Sequence, residues 1–305
     1  MDYSIEKTVL DAWELGDASF DALTSGHINQ TFRVSKGSGL SILQRLNPIF
    51  GPEVHRDIDA ITERLEAAGL ATPRLIPTST GMLWCEDSLG GIWRMQTHLQ
   101  GKTLDSVPHR GACESAGELV ARFHGALHGW DYEFAHRRFG VHDTAAHIET
   151  LELALSAHGL HTAYDEVAGL AEKVLMRLRG LPSLGELPEH IVHGDLKMTN
   201  ILFGKGEQAL ALIDLDTLAP MPMAHELGDA FRSWCNRAGE EAQAPSFDLS
   251  FLEAALKGYV RGGGRRLAPI ERESIPTGIE TICLELTVRF LADALNESYF
   301  GWDQV

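Results

Sequence analysis

The chain has 305 residues, 44% of them hydrophobic and 23% charged, and a formal net charge of −17. That length supports about two domains with a full core, and the composition is that of a globular protein rather than a disordered one. The acidity excludes a broad affinity for nucleic acid or an anionic membrane surface, both of which want a basic face. Cys85, Cys113, Cys235 and Cys283 form no C-x-x-C pair, which suits small core thiols in a reducing compartment. The opening Met1-Asp2-Tyr3-Ser4-Ile5-Glu6-Lys7 carries acids and no apolar core, and no run reaches membrane-spanning length, so the expectation is a cytoplasmic protein with no membrane or nucleic-acid partner.

Ile5, Val9, Leu10 and Trp13 recur at helical spacing and predict a short amphipathic helix ahead of the first strands. Residues 23–34 read as strand, tight turn and strand, with Gly26 and Asn29 at the bend. Such a polar hairpin tip can lay backbone N–H groups over phosphates. The next strand, 40–46, ends in Gln44 and Arg45, where a kinase fold places the cation that pairs with the α- and β-phosphates. Strand alternation sends the two side chains to opposite faces; Arg45, with its planar donor fork, is preferred to Gln44 for that place. A helix over 52–68, with Ile58, Ile61 and Leu65 as its stripe, offers Asp57 as the partner of that cation, with Glu53 and Asp59 as alternatives. Strands follow at 74–76, 82–85 and 91–99. The last leads toward a hinge in which Thr97, His98 and Leu99 are the candidates to face adenine, an ordinary linker being the other reading.

Beyond Gly101 helical patterns cover 114–127, 144–157 and 164–178 before Pro182 and Pro188 break them. His124, His128, His136, His142 and His147 crowd this region, but their spacing fits no closed zinc pattern, and they read as surface and capping residues. Residues 225–234 read as a helix whose Asp229 and Arg232, three apart, are spaced for a surface ion pair or for bracing the loop behind which they lie. A last helix over 279–295 carries Glu285, Arg289 and Asp293 at i,i+4 steps, followed by Tyr299, Phe300 and Trp302. A charged ladder is ordinarily a solvated face; with aromatics beside it, a sugar-binding wall is the second reading.

The chemistry concentrates in His193-Gly194-Asp195-Leu196-Lys197-Met198-Thr199-Asn200, followed after a short hairpin by Ile213-Asp214-Leu215-Asp216. An Asp beside a His is ordinarily a capped loop, and Asp-x-Asp ordinarily a solvated turn. Here they come in order, each beside an apolar run that reads as a strand (190–192, 200–203 and 209–213). The protein-kinase signature H-R-D-L-x-x-x-N uses the Asp to orient and deprotonate the attacking hydroxyl, and the Asn with a later Asp to hold Mg²⁺. Gly194 in place of the Arg, and Asp214-Leu215-Asp216 in place of D-F-G, point to a kinase of small molecules. No G-x-x-x-x-G-K-[ST] and no dinucleotide fingerprint is present.

On these residues the sequence resembles the aminoglycoside phosphotransferase and choline kinase superfamily, whose H-G-D-x-x-x-x-N and I-D-x-[DE] patterns are matched at 193–200 and 213–216. Within it the chain is most similar to the N-acetylhexosamine 1-kinases, through Gly26-His27-Ile28-Asn29-Gln30-Thr31-Phe32, Ile42-Leu43-Gln44-Arg45-Leu46-Asn47, Asp214-Leu215-Asp216-Thr217 and Gly228-Asp229-Ala230-Phe231-Arg232-Ser233. The resemblance implies an α+β, two-lobed protein-kinase-like fold. A small, mainly antiparallel β lobe over 1–100 would bind ATP, and a larger, mainly helical lobe over 101–305 would hold the catalytic and substrate residues. It implies Asp195 as catalytic base, Asn200 and Asp214 as Mg²⁺ ligands, Asp216 as a further metal-side residue, and His27, Asn29, Arg289 and Tyr299 as sugar contacts. The expected reaction is transfer from ATP to the anomeric hydroxyl of an N-acetylhexosamine. The alternatives are a kinase of a cationic substrate such as an aminoglycoside or choline, and a nucleotide-binding pseudokinase.

Overall fold

A computed structural model describes residues 5–23, 29–136, 142–239, 244–263, 267–299 and 302–303. Gly26 and His27 lie outside the described residues, as does the side chain of Tyr299. Helix α1 (Lys7–Ala12) precedes β1 (Ser19–Leu23), β2 (Gln30–Lys36) and β3 (Gly39–Arg45); α2 (Val54–Ala67), β4 (Cys85–Glu86) and β5 (Ile92–Thr97) complete the first lobe. The five strands form one antiparallel sheet in the order β1-β2-β3-β5-β4.

Period-two alternation gives this sheet two unlike faces. Phe32, Val34, Leu43, Trp93 and Met95 pack with Val9, Trp13 and Leu15 into the first lobe's own core. The opposite face is polar: Thr31 pairs in register with Gln44, and Gln44 with Arg94. Helix α2 turns Val54, Ile58, Ile61 and Leu65 into the large core of the second lobe, which ties it to the helices behind the catalytic loop.

The second lobe runs α3 (Arg110–Leu127), α4 (Thr144–Ala157), α5 (Tyr164–Arg179), β6 (Glu189–Val192), β7 (Ile201–Phe203), β8 (Ala209–Leu212), β9 (Ala219–Pro222), α6 (Met223–Trp234), α7 (Leu249–Arg261) and α8 (Pro269–Asn296), then the short pair β10 (Ser298–Tyr299) and β11 (Trp302–Asp303). The chain crosses between lobes after β5, and Lys102 and Phe203 exchange backbone hydrogen bonds of 2.9 and 2.8 Å there. β6 pairs with β9 and the hairpin β7–β8 lies between them in the chain, so two short two-stranded ladders carry the polar loops.

Helix ends depart from the periodicity where a side chain caps the backbone. α3 begins at Arg110 rather than 114 because His109 accepts from the backbone N–H of Ala112 at 3.2 Å. α8 begins ten residues before the expected 279, with Pro269 in its first turn and the Glu271 carboxylate accepting from the Ala268 N–H at 2.8 Å. α6 and α8 cross at backbone contact: a Cβ on Gly278 would sit 1.9 Å from the Ala224 carbonyl oxygen, and one on Gly228 2.6 Å from the Gly278 backbone. Only glycine permits that approach, and it holds α6 and α8 together beside the catalytic loop.

Two expectations about composition are corrected. Cys113 and Cys235 are buried, but Cys283 stands exposed on α8. The histidines are not all surface residues: His124 is fully buried, hydrogen-bonded to Tyr259 and Glu226. Among the described residues no group of three or more His, Cys, Asp or Glu side chains is placed to hold a metal ion, and no described helix is long and apolar enough to cross a membrane.

Candidate active site

β6 delivers the catalytic stretch. After Val192 the chain turns at Gly194, whose φ of +80° and whose missing Cβ, which would lie 2.4 Å from the Thr217 carbonyl oxygen, admit no other residue without strain. Fully buried His193 bonds through Nε2 to the Ile213 carbonyl at 2.9 Å and accepts at Nδ1 from the Asp195 N–H at 3.3 Å. This links the catalytic loop to the strand end that carries Asp214.

Behind the loop stands Glu226 of α6, fully buried. Its Oε1 accepts from the His193 N–H at 3.0 Å and from His124 Nε2 at 3.1 Å, and its Oε2 from the Gly194 N–H at 2.9 Å. Burial alone would raise its pKa; the His124 hydrogen bond and charge, with the backbone donors, hold the carboxyl below its usual range. Ser233 accepts from the Met198 N–H at 3.1 Å, and Trp234 donates to the Leu196 carbonyl at 2.7 Å. Glu226 braces the loop from behind, the place that one of the two readings of Asp229 and Arg232 would have given to them. Asp229 is itself buried rather than a surface residue; its Oδ1 takes Arg232 Nε at 2.9 Å and its buried Oδ2 meets no donor among the described residues.

In front of the loop the same chain leaves oxygens open. Asp195 Oδ2 accepts from Lys197 Nζ and from Asn200 Nδ2, both at 2.8 Å, while nothing described engages Oδ1. Burial pushes the Asp195 carboxyl up, but the charge and hydrogen bond of Lys197, with the charges of His193 and Arg232, hold it below its usual range. Asn200 spends its amide nitrogen on Asp195, also reaching the backbone carbonyl at 2.9 Å, which leaves its amide oxygen for a ligand. Asp214 sits in the left-handed region (φ 63°, ψ 57°), and its side chain takes no hydrogen bond or ion pair among the described residues. Burial, then the charges of Asp216 and Asp195, push its carboxyl up to about 6. The backbone N–H of neighbouring Ile213 bonds to the Asn200 carbonyl at 2.9 Å, and a carboxylate crowded by two others, with no donor among the described residues, suits a hard divalent cation.

The second acid of the motif is arranged differently. Asp216 is gripped by the Arg94 guanidinium of β5 through a bidentate pair, Nη1 to Oδ1 and Nη2 to Oδ2 at 3.0 Å, and Oδ2 also accepts from Asn29 Nδ2 at 2.8 Å. Arg94 is positioned by Gln44, whose Oε1 accepts from Arg94 Nε at 2.9 Å and from Gln96 at 2.8 Å and whose amide nitrogen donates to Thr31. His55 of α2, stacked on Trp84, lies in the field of both Arg94 and Asp216; burial first, then Arg94, lower its pKa to about 4.

Several expectations change accordingly. Arg45 lies on the apolar-face side of β3 and pairs with Asp87 at 3.0 Å, which also accepts from Trp93 Nε1 at 2.9 Å; it does not meet Asp57. Asp57 is instead spent on the Tyr132 hydroxyl and the Ala135 and His136 N–H groups, at 2.8 to 2.9 Å. Asn29, expected at the sugar, bridges Asp216 and the Asn47 N–H. Thr97 accepts from the Arg74 N–H at 2.9 Å; His98 and Leu99 follow it, half-buried, on the way to the lobe crossing. The α8 ladder is not a solvated face: Glu285 is fully buried, bonded to His142 and Thr144, and Asp293 is 9% exposed. Arg289 is lowered by burial, with Glu285, Asp293 and Asp195 acting against that shift, so it stands on the Asp195 side of α8.

The phosphotransferase enzyme family matches residues 19–269. The homoserine kinase of Gluconobacter oxydans (strain 621H) is 28% identical over 190 residues, 61% of this chain and 53% of that protein, so the match spans about half of the relative's length. Among solved structures, a microcompartment-associated aminopropanol kinase superposes with a TM-score of 0.67 at 17% identity, over 95% of this chain and 92% of that one. A choline/ethanolamine kinase family protein from Mesorhizobium loti gives 0.58 at 20% identity, over 95% and 85%. At these identities the structural matches speak to the fold.

Proposed function

Because this chain belongs to the phosphotransferase enzyme family, we propose that it transfers the γ-phosphoryl group of ATP to the hydroxyl of a small amine-bearing alcohol. The observation that carries the reading is the trio in front of the loop: among the described residues no donor meets Asp195 Oδ1, the Asn200 amide oxygen or the Asp214 carboxylate. Asp195 orients the acceptor hydroxyl and takes its proton through Oδ1 as the bond to the γ-phosphorus forms and the bond from that phosphorus to the departing ADP oxygen breaks, while Lys197 holds Oδ2. Asn200 and Asp214 are the residues that would hold Mg²⁺, which neutralises charge on the transferring phosphoryl group. Half-buried His98 and Leu99 remain the adenine-side candidates.

The acceptor assignment rests on charge. Asp195, Asp229 and Glu285 all act on His142, so negative charge gathers near the catalytic loop, and an ammonium group on the acceptor would be drawn to it. The relatives named as aminopropanol, choline/ethanolamine and homoserine kinases are consistent with that chemistry. An N-acetylhexosamine acceptor is the second reading, favoured by Arg289 facing the Asp195 side. The test is ADP release with Mg-ATP across aminopropanol, ethanolamine, choline, homoserine, N-acetylglucosamine and N-acetylgalactosamine, with Asp195→Asn as blank. Turnover on the amines, with a KM that rises with salt, supports the proposal. Turnover on the sugars alone replaces the acceptor, and nucleotide binding with no turnover on any acceptor points to a pseudokinase.

A further inference from the structure

Asp214 and Asp216 are two residues apart in one motif, yet their surroundings are opposite. Asp214 has no donor among the described residues, whereas three of the roughly four lone-pair positions of the Asp216 carboxylate are taken, two by Arg94 and one by Asn29. Both side chains of the Arg94–Asp216 pair are only 1% exposed. The donors all come from the sheet lobe: Arg94 from β5, oriented by Gln44 of β3, and Asn29 from the residue before β2. The acceptor comes from the helical lobe, 122 and 187 residues further along the chain. A planar guanidinium engaged at two oxygens fixes distance and angle together.

We propose that Asp216 is a positioning residue rather than a metal ligand: with Arg94 and Asn29 it forms a buried latch that sets the sheet lobe over the catalytic loop. The divalent cation is then left to Asp214 and Asn200 alone on the protein side. Arg94, not Arg45, is the strand arginine that reaches the catalytic side, and its acid partner sits in the Asp-x-Asp motif instead of on α2. The part concerning the cation rests on the kinase reading; the latch itself does not.

The test uses the full chain as wild type, Asp214→Asn, Asp216→Asn, Arg94→Gln and the double variant Arg94→Gln/Asp216→Asn. Two quantities are measured: the Mg²⁺ concentration that half-saturates binding of a non-hydrolysable ATP analogue, and the melting temperature without nucleotide or metal. Asp214→Asn is expected to raise the Mg²⁺ requirement at least about tenfold, and Asp216→Asn to leave it within about twofold. Arg94→Gln strands a buried carboxylate, so it lowers the melting temperature, and adding Asp216→Asn restores much of the loss because the neutral pair can still hydrogen-bond. An Mg²⁺ requirement for Asp216→Asn as high as that of Asp214→Asn would overturn the assignment. So would a double variant whose loss equals the sum of the two single losses. If Arg94→Gln does not fold, recovery of a folded double variant makes the same point, and a double variant that also fails to fold counts against the latch. A wild type that binds no nucleotide removes the kinase reading, while the melting cycle still decides the latch.

Discussion

The two sides of the catalytic loop differ in how completely their polar groups are answered. Behind it, Glu226 takes three donors, Ser233 and Trp234 take two more backbone groups, and His193 ties the loop to Ile213. In front, Asp195 Oδ1, the Asn200 amide oxygen and both oxygens of Asp214 meet no donor among the described residues. A buried polar group without a partner costs about 1–3 kcal/mol, so open oxygens held by a saturated frame mark where a ligand completes the structure. Stability resides behind the loop and chemistry in front of it.

Substitutions that blur this contrast are expected to matter in proportion to how many partners they strand. Glu226→Ala leaves two backbone N–H groups and His124 without an acceptor and should cost about 3–5 kcal/mol in denaturant unfolding. Glu226→Gln keeps one oxygen and should cost less; equal losses would show that packing, not the carboxylate, does the bracing. Gly194→Ala forces a Cβ into the Thr217 carbonyl at positive φ, with about 1–3 kcal/mol from the backbone alone, read as lost stability together with lost kcat.

A smaller effect is expected on α8, where pH resolves it. The Glu285 pKa is lowered and the His142 pKa raised, in each case by their mutual hydrogen bond and charge against burial. Glu285 contributes stability above its ordinary pKa of 4.5 and loses it as pH falls through its lower folded value; His142 contributes below 6.5 and loses it as pH rises through its higher folded value. The pair is therefore strongest between those pH values. Glu285→Gln should cost about 1.5–3 kcal/mol at pH 5.5 and clearly less at pH 9, and a pH-independent loss would rule out an ionic pair. The least effect belongs to Arg45→Ala, whose ion pair with Asp87 is one-third exposed on the arginine side. It should cost about 1 kcal/mol or less and leave nucleotide affinity within about twofold, measured by titration.

What was legible in the sequence was what is local in the chain. The catalytic stretch and the Asp-x-Asp motif each lie within eight residues, between strands whose apolar runs are plain, so both could be singled out, and the resemblance they carry implied the two-lobed fold. The contacts that close the site join residues far apart: Arg94 with Asp216, Glu226 with His193 and Asn29 with Asp216. Spacing says nothing about such pairs. One signal did exist, since Trp93 and Met95 alternate with Arg94 and Gln96, which places Arg94 on the polar face of β5, and the same alternation sends Arg45 away from it. Asp57 was misread because three donors from distant residues claim it, and α7 went unread because no motif drew attention to its ordinary amphipathic pattern.

The most direct measurement is single-turnover phosphoryl transfer by wild type and Asp195→Asn at saturating Mg-ATP and acceptor, with ATP affinity determined in parallel. The expected result is unchanged ATP affinity and a transfer rate lower by about 10²–10⁴-fold, because the amide keeps the size of the side chain but cannot take the acceptor's proton. Transfer by Asp195→Asn at the wild-type rate would contradict the division between a bracing back and a reacting front.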